Sequence, residues 1–345
     1  EKRGVFKSWT VLLAITAFSL CLLGTFIVRS GIIVSVHAFA TDPDRGLYIL
    51  SFLGVVVGGS LALYAMRVSE VYSEGRYKFA SREVTLWANN IFLVVATLIV
   101  LLGTLLPMIH KELGLGTISI GVPFFNQMFS ILVVPFAILL GIAPMLRWKQ
   151  NKLSPAVKKW GVMLVLALAL TTLWLLPNYE YVAPMTFLAT ALAVWITLGT
   201  LLDIYDKASA QGRIAEGLKR LGLSYWAMVL GHIGIAFVIA SVTLTSAYSV
   251  ERSVSMKPGE TASLNEYTYR FEGVKEIRGP NYSGHAGVVT VLKENKTVTS
   301  LYAEKRMYDI GMQFMTEAAI DDGFFRDLYL ALGEQLSGGA WSLRI

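Results

Sequence analysis

The sequence predicts a mainly α-helical, polytopic membrane bundle of about seven spans, followed by a small β-rich exported domain. Three observations predict this fold class. The 345 residues are 54% hydrophobic and only 16% charged, whereas an ordinary soluble domain carries about 25% charged residues. The apolar residues gather in segments of about 20 residues, the length that crosses a bilayer. Residues 248–345 instead alternate β-formers with Gly, Pro and Asn breakers.

The predicted spans follow one another through the first 247 residues, and most carry no charge in their interior. Their approximate bounds are 9–29, 47–66, 88–109, 127–146, 158–177, 184–204 and 225–247. The chain therefore divides into a transmembrane helical domain, 1–247, and an exported domain, 248–345.

Lysine and arginine are distributed unevenly between alternate loops. Sixteen of them lie in the N-terminal flank and in loops 67–87, 147–159 and 205–224, whereas the alternate loops hold only Arg45 and Lys111. Cytoplasmic loops carry an excess of Lys and Arg. This bias predicts a cytoplasmic N-terminus and, after seven crossings, a periplasmic domain from residue 248 onward.

Shorter elements are predicted from local patterns. Residues 213–221 place Ile214, Leu218 and Leu221 on one helix face, typical of a helix on the cytoplasmic membrane surface; a solvated connector fits the pattern equally well. In the exported domain, 261–271 and 288–292 predict strands, and 317–332 predicts a mixed or helical stretch.

Several function classes are excluded by composition and by missing motifs. The net charge of +6 does not indicate a nucleic-acid partner, because the basic excess lies in the membrane domain. Cys21 is the only cysteine, so no disulfide forms within the chain. No Walker A, HExxH or GxSxG pattern occurs. Asp203, at a cytoplasmic edge, is almost the only carboxylate of the spans, which disfavours an ion-coupled pump.

His232 is the first of the candidate functional residues and lies in the seventh predicted span, between Gly231 and Gly234. Ionisable side chains within spans are costly and usually face a cavity, a bundle interior or a cofactor. The glycines would let a flat ring or another helix approach. Three interpretations stay open: a neutral histidine bonded to a backbone carbonyl, a haem ligand, or a proton relay. A b-type haem would need a second ligand, and the sequence has no other mid-span histidine.

The other histidines have simpler interpretations from spacing alone. His37 lies just outside the first span on the exported side, where an incidental interfacial histidine is the better interpretation. His110 is interpreted as a polar cap at the end of the third span. His285 is interpreted as a structural residue in a turn between glycines.

Specific sequence strings carry a resemblance to a known family over nearly the whole chain. They are 1–10 (EKRGVFKSWT), 35–40 (SVHAFA), 42–46 (DPDRG), 81–83 (SRE), 123–126 (PFFN), 224–226 (SYW), 231–234 (GHIG), 316–321 (TEAAID) and 326–329 (RDLY). The chain closely resembles CcmF, the large haem-lyase subunit of cytochrome c maturation.

The resemblance implies an activity, a cofactor and site residues. A CcmF-like protein is a holocytochrome c synthase: it receives haem from a haem chaperone and promotes thioether attachment to the CxxCH motif of apocytochrome c. His37 would be the catalytic residue and an axial ligand of this transient haem. His232 would be an axial ligand of a permanent haem b in the membrane. Apart from the resemblance, Arg29 and Arg45 are among the few exported cations near His37 and are expected to pair with haem propionates. For Arg29, a side chain that only extends to the interface from a helix end is the alternative.

The resemblance also implies a location and partners. We expect a multi-pass protein of the bacterial inner membrane, surrounded by membrane lipid. The expected partners are the haem chaperone, apocytochrome c, and the maturation subunits that reduce thiols or recruit apocytochrome. The family's tryptophan-rich WWD segment is missing, and the chain begins with Glu1. The sequence is therefore interpreted as the C-terminal half of such a protein.

Two alternatives to a haem lyase are kept. A non-catalytic scaffold for other maturation factors would hold no absorbing cofactor. A haem transporter would show inverted repeats and broken midplane helices, and neither is clear in the sequence.

Overall fold

The computed structural model describes residues 4–30, 43–73, 78–150, 153–210, 212–309, 314–323 and 326–345. His37 lies outside the described residues. The described chain separates into two compact units, Glu1–Leu244 and Thr245–Ile345. The first is helical and the second is built of strands.

The helical unit contains the membrane-span candidates, and all fall where an apolar segment was predicted. The helices are α1 Lys7–Arg29, α2 Pro43–Met66, α3 Arg82–Glu112, α4 Val122–Ile142, α5 Leu153–Asn178, α6 Pro184–Ser209, α7 Ile214–Arg220 and α8 Leu223–Tyr248, with a 3-10 turn Ala143–Met145 after α4. Seven of these helices, all except α7, are long and apolar enough to cross a membrane. The predicted polytopic helical fold with a β-rich domain is confirmed.

Helix α3 begins well before the predicted edge near residue 88. Ser81 has an extended backbone at the N-cap and its side chain accepts a hydrogen bond from the Val84 N–H at 3.4 Å. Glu83 follows in the first turn, where a negative carboxylate is stabilised by the positive end of the helix dipole. At 31 residues, α3 is about 46 Å long, longer than the roughly 30 Å hydrocarbon core. Its first turns therefore carry polar residues rather than membrane-spanning ones.

The most buried helix of the unit is α6, which packs on α4 and α5 through an apolar cluster. The cluster consists of Ala137, Met163, Ala167, Leu192, Ala193, Trp195, Ile196 and Ala236. The backbones of α4 and α6 lie close together, because a Cβ on Gly199 would collide with the carbonyl oxygen of Gly141. Small residues allow such close approach between membrane helices.

The second unit is a two-layer antiparallel β-sandwich. One sheet has the order β1-β9-β8-β7 and the other the order β2-β3-β4-β5-β6. The strands are β1 Ser253–Met256, β2 Thr261–Leu264, β3 Tyr267–Arg278, β4 Tyr282–Lys293, β5 Lys296–Tyr308, β6 Phe314–Glu317, β7 Ala319–Asp321, β8 Leu328–Gln335 and β9 Trp341–Arg344. Its core lies between the sheets and includes Phe271, Val289, Leu330 and Leu343.

Two local predictions in this unit are wrong. The helical interpretation of 317–332 is wrong for the described residues of this stretch: β7 pairs antiparallel with β8, and Leu328, Leu330 and Leu332 alternate into the core. His285 is not in a turn but inside β4, opposite Glu276 of β3 and Lys305 of β5. Pairing across two neighbouring strands lets this glycine-flanked segment remain extended.

Candidate functional site

His232 lines a cavity between three membrane helices. It lies on α8, nine residues after Leu223, which places it about 14 Å along the helix. The cavity has a volume of about 190 Å³. Its other lining residues come from α3 (Arg82, Thr85, Leu86, Asn89), from α4 and the following turn (Phe136, Leu139, Leu140, Ala143, Pro144), and from Met228 of α8. The walls are therefore mainly apolar.

The His232 ring is oriented by its own helix. Its Nδ1 lies 2.9 Å from the carbonyl oxygen of Met228, one turn earlier. A carbonyl oxygen only accepts, so Nδ1 is the donor, and in the neutral imidazole Nε2 then carries the lone pair. A backbone carbonyl on one ring nitrogen is the usual support for a histidine whose other nitrogen binds a metal. The half-buried imidazole can thus act as a neutral ligand or as a proton acceptor.

The two glycines beside His232 face open space. A Cβ added at Gly231 or at Gly234 would meet no atom within 4 Å. No other described helix packs onto these positions, in contrast to Gly199 on α6. The sequence predicted that these glycines would let a flat ring or another helix approach. The approach of another helix is not observed among the described residues.

Arg82 is a polar residue of this cavity that sequence reasoning missed. Its Nη2 donates to the carbonyl oxygen of Pro144, and its guanidinium lies 5.4 Å from the ring centroid of Trp148. Its backbone N–H donates to the Arg147 carbonyl at 3.0 Å. In the sequence, Arg82 is one of the charges of the loop 67–87 and part of the 81–83 (SRE) string that carries the resemblance. Neither observation predicts that Arg82 lines a cavity.

Glu83, the next residue, also attaches the start of α3 to the segment that follows α4. Its carboxylate is 3% exposed and accepts the Lys149 backbone N–H at 3.0 Å and 2.9 Å, one contact for each oxygen. The start of α3 is therefore attached to the segment after the Ala143–Met145 turn. This attachment places Arg82 over the end of α4.

A buried polar network lies two turns before His232 on α8. The Tyr225 hydroxyl donates to Oδ2 of Asp203 at 2.8 Å, and Lys207 is paired with the same carboxylate. The Lys207 ammonium also lies 4.4 Å from the Tyr225 ring centroid. Asp203 is 3% exposed, so this network joins α6 to α8 within the bundle.

The remaining predicted site residues lie elsewhere. Arg29 ends α1 and Arg45 is in the first turns of α2. A Cβ on Gly46 would lie 3.2 Å from the Cβ of Ser30, so these two helix ends meet. The structure brings the two arginines to the same end of the α1–α2 pair. His37 belongs to the segment between them, outside the described residues.

The other two described histidines have local roles. Nδ1 of His110 lies 3.0 Å from the Gly116 carbonyl at the end of α3. His285 packs against Trp341 with ring centroids 5.5 Å apart. Within the described ranges, no group of three or more His, Cys, Asp or Glu side chains could hold a metal ion.

Comparisons with known proteins place these features in one family. Residues 247–345 match the family model described as the CcmF C-terminal beta-sandwich. The cytochrome c-type biogenesis protein CcmF of Escherichia coli K12 is 50% identical over 347 residues, covering 100% of this chain and 52% of that protein. CcmF of Haemophilus influenzae is 48% identical over 351 residues, covering 100% of this chain and 53% of that protein.

A solved structure supports the fold over the same extent. It is titled cytochrome c heme lyase CcmF and matches with a TM-score of 0.70 at 22% identity, covering 99% of this chain and 51% of that chain. The chain thus spans about half the length of the curated relatives it matches. Both units, helical and β-sandwich, are included in these matches. The chain belongs to the CcmF family of cytochrome c-type biogenesis proteins.

Proposed function

We propose that this chain is part of a haem lyase of cytochrome c maturation, in which His232 is one axial ligand of a haem b in the membrane. The observation that carries the proposal is the cavity of His232. Its imidazole is held through Nδ1 by the Met228 carbonyl, and the surrounding walls are mainly apolar. A neutral nitrogen in an apolar, helix-lined cavity suits haem iron.

The residues that line the His232 cavity are suited to contact one side of a haem b. The volume of about 190 Å³ is below the 300–1,000 Å³ typical of small-molecule pockets. The described residues would therefore supply one wall and one ligand, and the second ligand would come from other residues. When bound, haem b would supply a redox centre. Arg82 would provide a positive charge, and Asn89 an amide, at the edge of the cavity.

The haem to be attached is a substrate, and we propose that His37 binds it. The neighbouring cations support this role, because Arg29 and Arg45 lie at the same end of the α1–α2 pair, on either side of the segment that contains His37. Guanidinium groups bind carboxylates through charge-assisted hydrogen bonds. They would hold the haem propionates while His37 binds the iron.

The reaction would consist of adding two thiols of a CxxCH motif across the two vinyl groups of this haem. Each sulfur forms a bond to one vinyl carbon, and the thiol proton passes to the other carbon. Holding both reactants in one geometry makes the addition effectively intramolecular. The reacting cysteines belong to apocytochrome c, consistent with a chain whose only cysteine is Cys21.

We also propose the orientation and the partners of the protein. The basic loops would face the cytoplasm of a bacterial cell and the β-sandwich unit would be periplasmic, as the Lys and Arg bias favours. His37 would then lie on the periplasmic side, where a haem chaperone and apocytochrome c could reach it. Subunits that reduce or recruit apocytochrome would act at the same side.

The first test concerns the membrane haem. A reduced-minus-oxidised spectrum of the purified protein containing this chain should show a b-type band, and His232→Ala should lose most of it. His285→Ala is the matched control and should keep the band, because His285 lies on β4 of the other unit. An unchanged band in His232→Ala would exclude His232 as the ligand. A wild type without the band would favour a scaffold.

The second test concerns His37. In a reconstituted maturation system, His37→Ala should release little covalently haemylated cytochrome c, while the b-type band stays intact. His110→Ala is the control, since Nδ1 of His110 is bonded locally to the Gly116 carbonyl at 3.0 Å. A normal yield of cytochrome c from His37→Ala would contradict the proposed role of His37.

A further inference from the structure

A second and larger cavity lies beside that of His232. Its volume is about 690 Å³. It forms where the start of α3, the end of α4, the start of α5 and the end of α6 meet. The lining residues are Arg82, Pro144, Met145, Leu146, Arg147, Trp148, Pro155, Ala156, Lys159, Trp160, Asp203, Asp206, Lys207, Ala210 and Leu221. Arg82 and Pro144 line both cavities. This second space is called the basic-end cavity below, because all these helix ends adjoin the loops rich in Lys and Arg.

The charges of the basic-end cavity favour an anion. Four cationic and two acidic side chains line it. Each acid is already matched by a lysine: Lys159 lies 2.6 Å from Asp206, and Lys207 is paired with Asp203. The lining therefore carries more positive than negative side chains, and Arg147 belongs to neither lysine–aspartate pair.

Arg147 is the cation available to a ligand. Its side chain has no ion-pair partner in the described part of the chain, and the residue is exposed. The Arg147 backbone carbonyl accepts a hydrogen bond from the Arg82 N–H at 3.0 Å, which holds the backbone of Arg147 in place. The guanidinium fork binds phosphate oxygens in pairs. The start of α5, at Pro155 and Ala156, adds a partial positive charge to the same wall.

The uncharged walls match a lipid better than a small water-soluble anion. Trp148 and Trp160 line the cavity, and tryptophan is enriched where the hydrocarbon core meets the headgroups. Met145, Leu146 and Leu221 form apolar parts of the lining. Basic pockets between membrane helices on the cytoplasmic side bind anionic headgroups.

We propose that the basic-end cavity binds the phosphate of an anionic phospholipid, such as phosphatidylglycerol, from the leaflet on the side of the basic loops. Arg147 binds the phosphate oxygens, and the apolar residues contact the glycerol and the first acyl carbons. Arg147, the residue that binds the phosphate, does not line the His232 cavity, and the proposal does not depend on the haem chemistry proposed above. It concerns how this end of the bundle is held in the membrane.

Native mass spectrometry of the purified protein in detergent tests the proposal. Phosphatidylglycerol and phosphatidylcholine with the same acyl chains are titrated separately, and sodium phosphate is added in a third series. The variant is Arg147→Gln. The matched control is Lys158→Gln, which removes a positive charge from α5 without altering the lining of the cavity. Arg147→Lys, which keeps the charge but not the fork, provides a second variant.

The wild type should bind phosphatidylglycerol more tightly than phosphatidylcholine. Arg147→Gln should raise the dissociation constant about tenfold, the loss expected for one hydrogen bond to a charged group. Arg147→Lys should give a smaller rise and Lys158→Gln none. The unfolding temperature of the two Arg147 variants should stay near that of the wild type, because the Arg147 side chain is exposed.

Four outcomes would overturn the proposal. Equal binding of phosphatidylcholine would mean that the headgroup charge is not recognised. An unchanged dissociation constant in Arg147→Gln would remove the assigned residue. An equal loss in Lys158→Gln would indicate diffuse surface charge instead of a site. Displacement of the lipid by millimolar phosphate would assign the cavity to free phosphate.

Discussion

At the scale of single residues, one buried carboxylate of the helical unit is matched by donors from two helices. This is the carboxylate of Asp203, which is 3% exposed and still has the Tyr225 hydroxyl and Lys207 as donors. A buried carboxylate without such donors would lose its hydration without compensation. The network therefore determines how α6 and α8 meet near His232.

Removing one donor of this network should weaken the contact between α6 and α8. Tyr225→Phe deletes the hydroxyl that lies 2.8 Å from Asp203 and leaves the ring in place. The expected loss is about 1–3 kcal/mol of the free energy of unfolding, measured by denaturant or thermal unfolding in detergent. Tyr205→Phe is the control, because the Tyr205 side chain is 56% exposed. Equal effects of the two substitutions would contradict the role given to the hydroxyl.

His232 and Arg82 differ in how far the sequence could identify them. His232 was predicted as a candidate because an ionisable residue in an apolar span needs a partner. Arg82 occurs among the charges of the loop 67–87 and in the 81–83 (SRE) string of the resemblance, and neither of these predicts a partner for its side chain. Only the folded start of α3 brings Arg82 to the end of α4 and into the wall of the His232 cavity.

At the scale of elements, the contact between α4 and α6 depends on two glycines and one indole. A Cβ on Gly141 would collide with the Trp195 ring, and a Cβ on Gly199 would collide with the Gly141 carbonyl. The Trp195 Nε1–H donates to the Ile138 carbonyl at 3.1 Å. Membrane helices lack a hydrophobic driving force between them, so such close packing carries much of their association.

Enlarging this contact should separate the two helices. Gly199→Ala is expected to lower the free energy of unfolding by about 1–3 kcal/mol through overpacking, measured as a lower unfolding temperature in detergent. Gly161→Ala on α5 is the matched control, because a Cβ there meets no atom within 4 Å. That control should be neutral or slightly stabilising, since Ala favours helix more than Gly does. A stable Gly199→Ala protein would argue against close α4–α6 packing.

At the scale of the whole molecule, the two units differ in composition and in charge. Residues 1–247 hold 19 Lys and Arg against 11 Asp and Glu, whereas 248–345 hold 11 against 13. Many large apolar side chains of the helical unit are exposed, such as Leu173 and Phe237, as lipid contact requires. The β-sandwich instead has a buried apolar core between its own two sheets.

Acid should destabilise the β-sandwich unit through its surface carboxylates. Three glutamates have pKa values below the ordinary 4.5, because each accepts a hydrogen bond from a neighbouring cation. The pairs are Glu251 with Arg344, Glu266 with Lys293, and Glu272 with Arg270. Each carboxyl is a stronger acid in the folded than in the unfolded chain. Its contribution is therefore complete above about pH 4.5 and is lost as the pH falls through the lowered pKa.

Amide hydrogen exchange of the β1 and β9 peptides measures this pH dependence. Protection, corrected for the intrinsic exchange rate, should be similar at pH 7 and pH 5.5 and should fall below pH 4.5. Glu251→Gln should reduce both the protection at pH 7 and its loss in acid, because Arg344 on β9 loses its carboxylate partner. Glu276→Gln is the control, as Glu276 is exposed on β3 and has no ion pair among the described residues. Constant protection down to pH 3 would contradict the prediction.

The sequence alone determined the number and approximate place of the spans, the β-rich character of residues 248–345, and His232 as a candidate. A span depends on the hydrophobicity of about 20 neighbouring residues, and a strand depends in part on the propensities of its own residues. Both can therefore be estimated from a short stretch of sequence. The error at 317–332 shows the limit of this approach, since the β7–β8 pairing that makes this stretch extended is a tertiary contact.

Only the tertiary structure decided which distant side chains meet. It brought Arg82 to the His232 cavity, joined Tyr225 to Asp203, and placed Arg147 in the lining of the basic-end cavity. The physical reason is that such contacts depend on the rotation of each helix about its axis and on how closely the backbones approach. Both are set by packing between helices far apart in sequence, such as the Gly141–Gly199 contact, and not by the composition of any single helix.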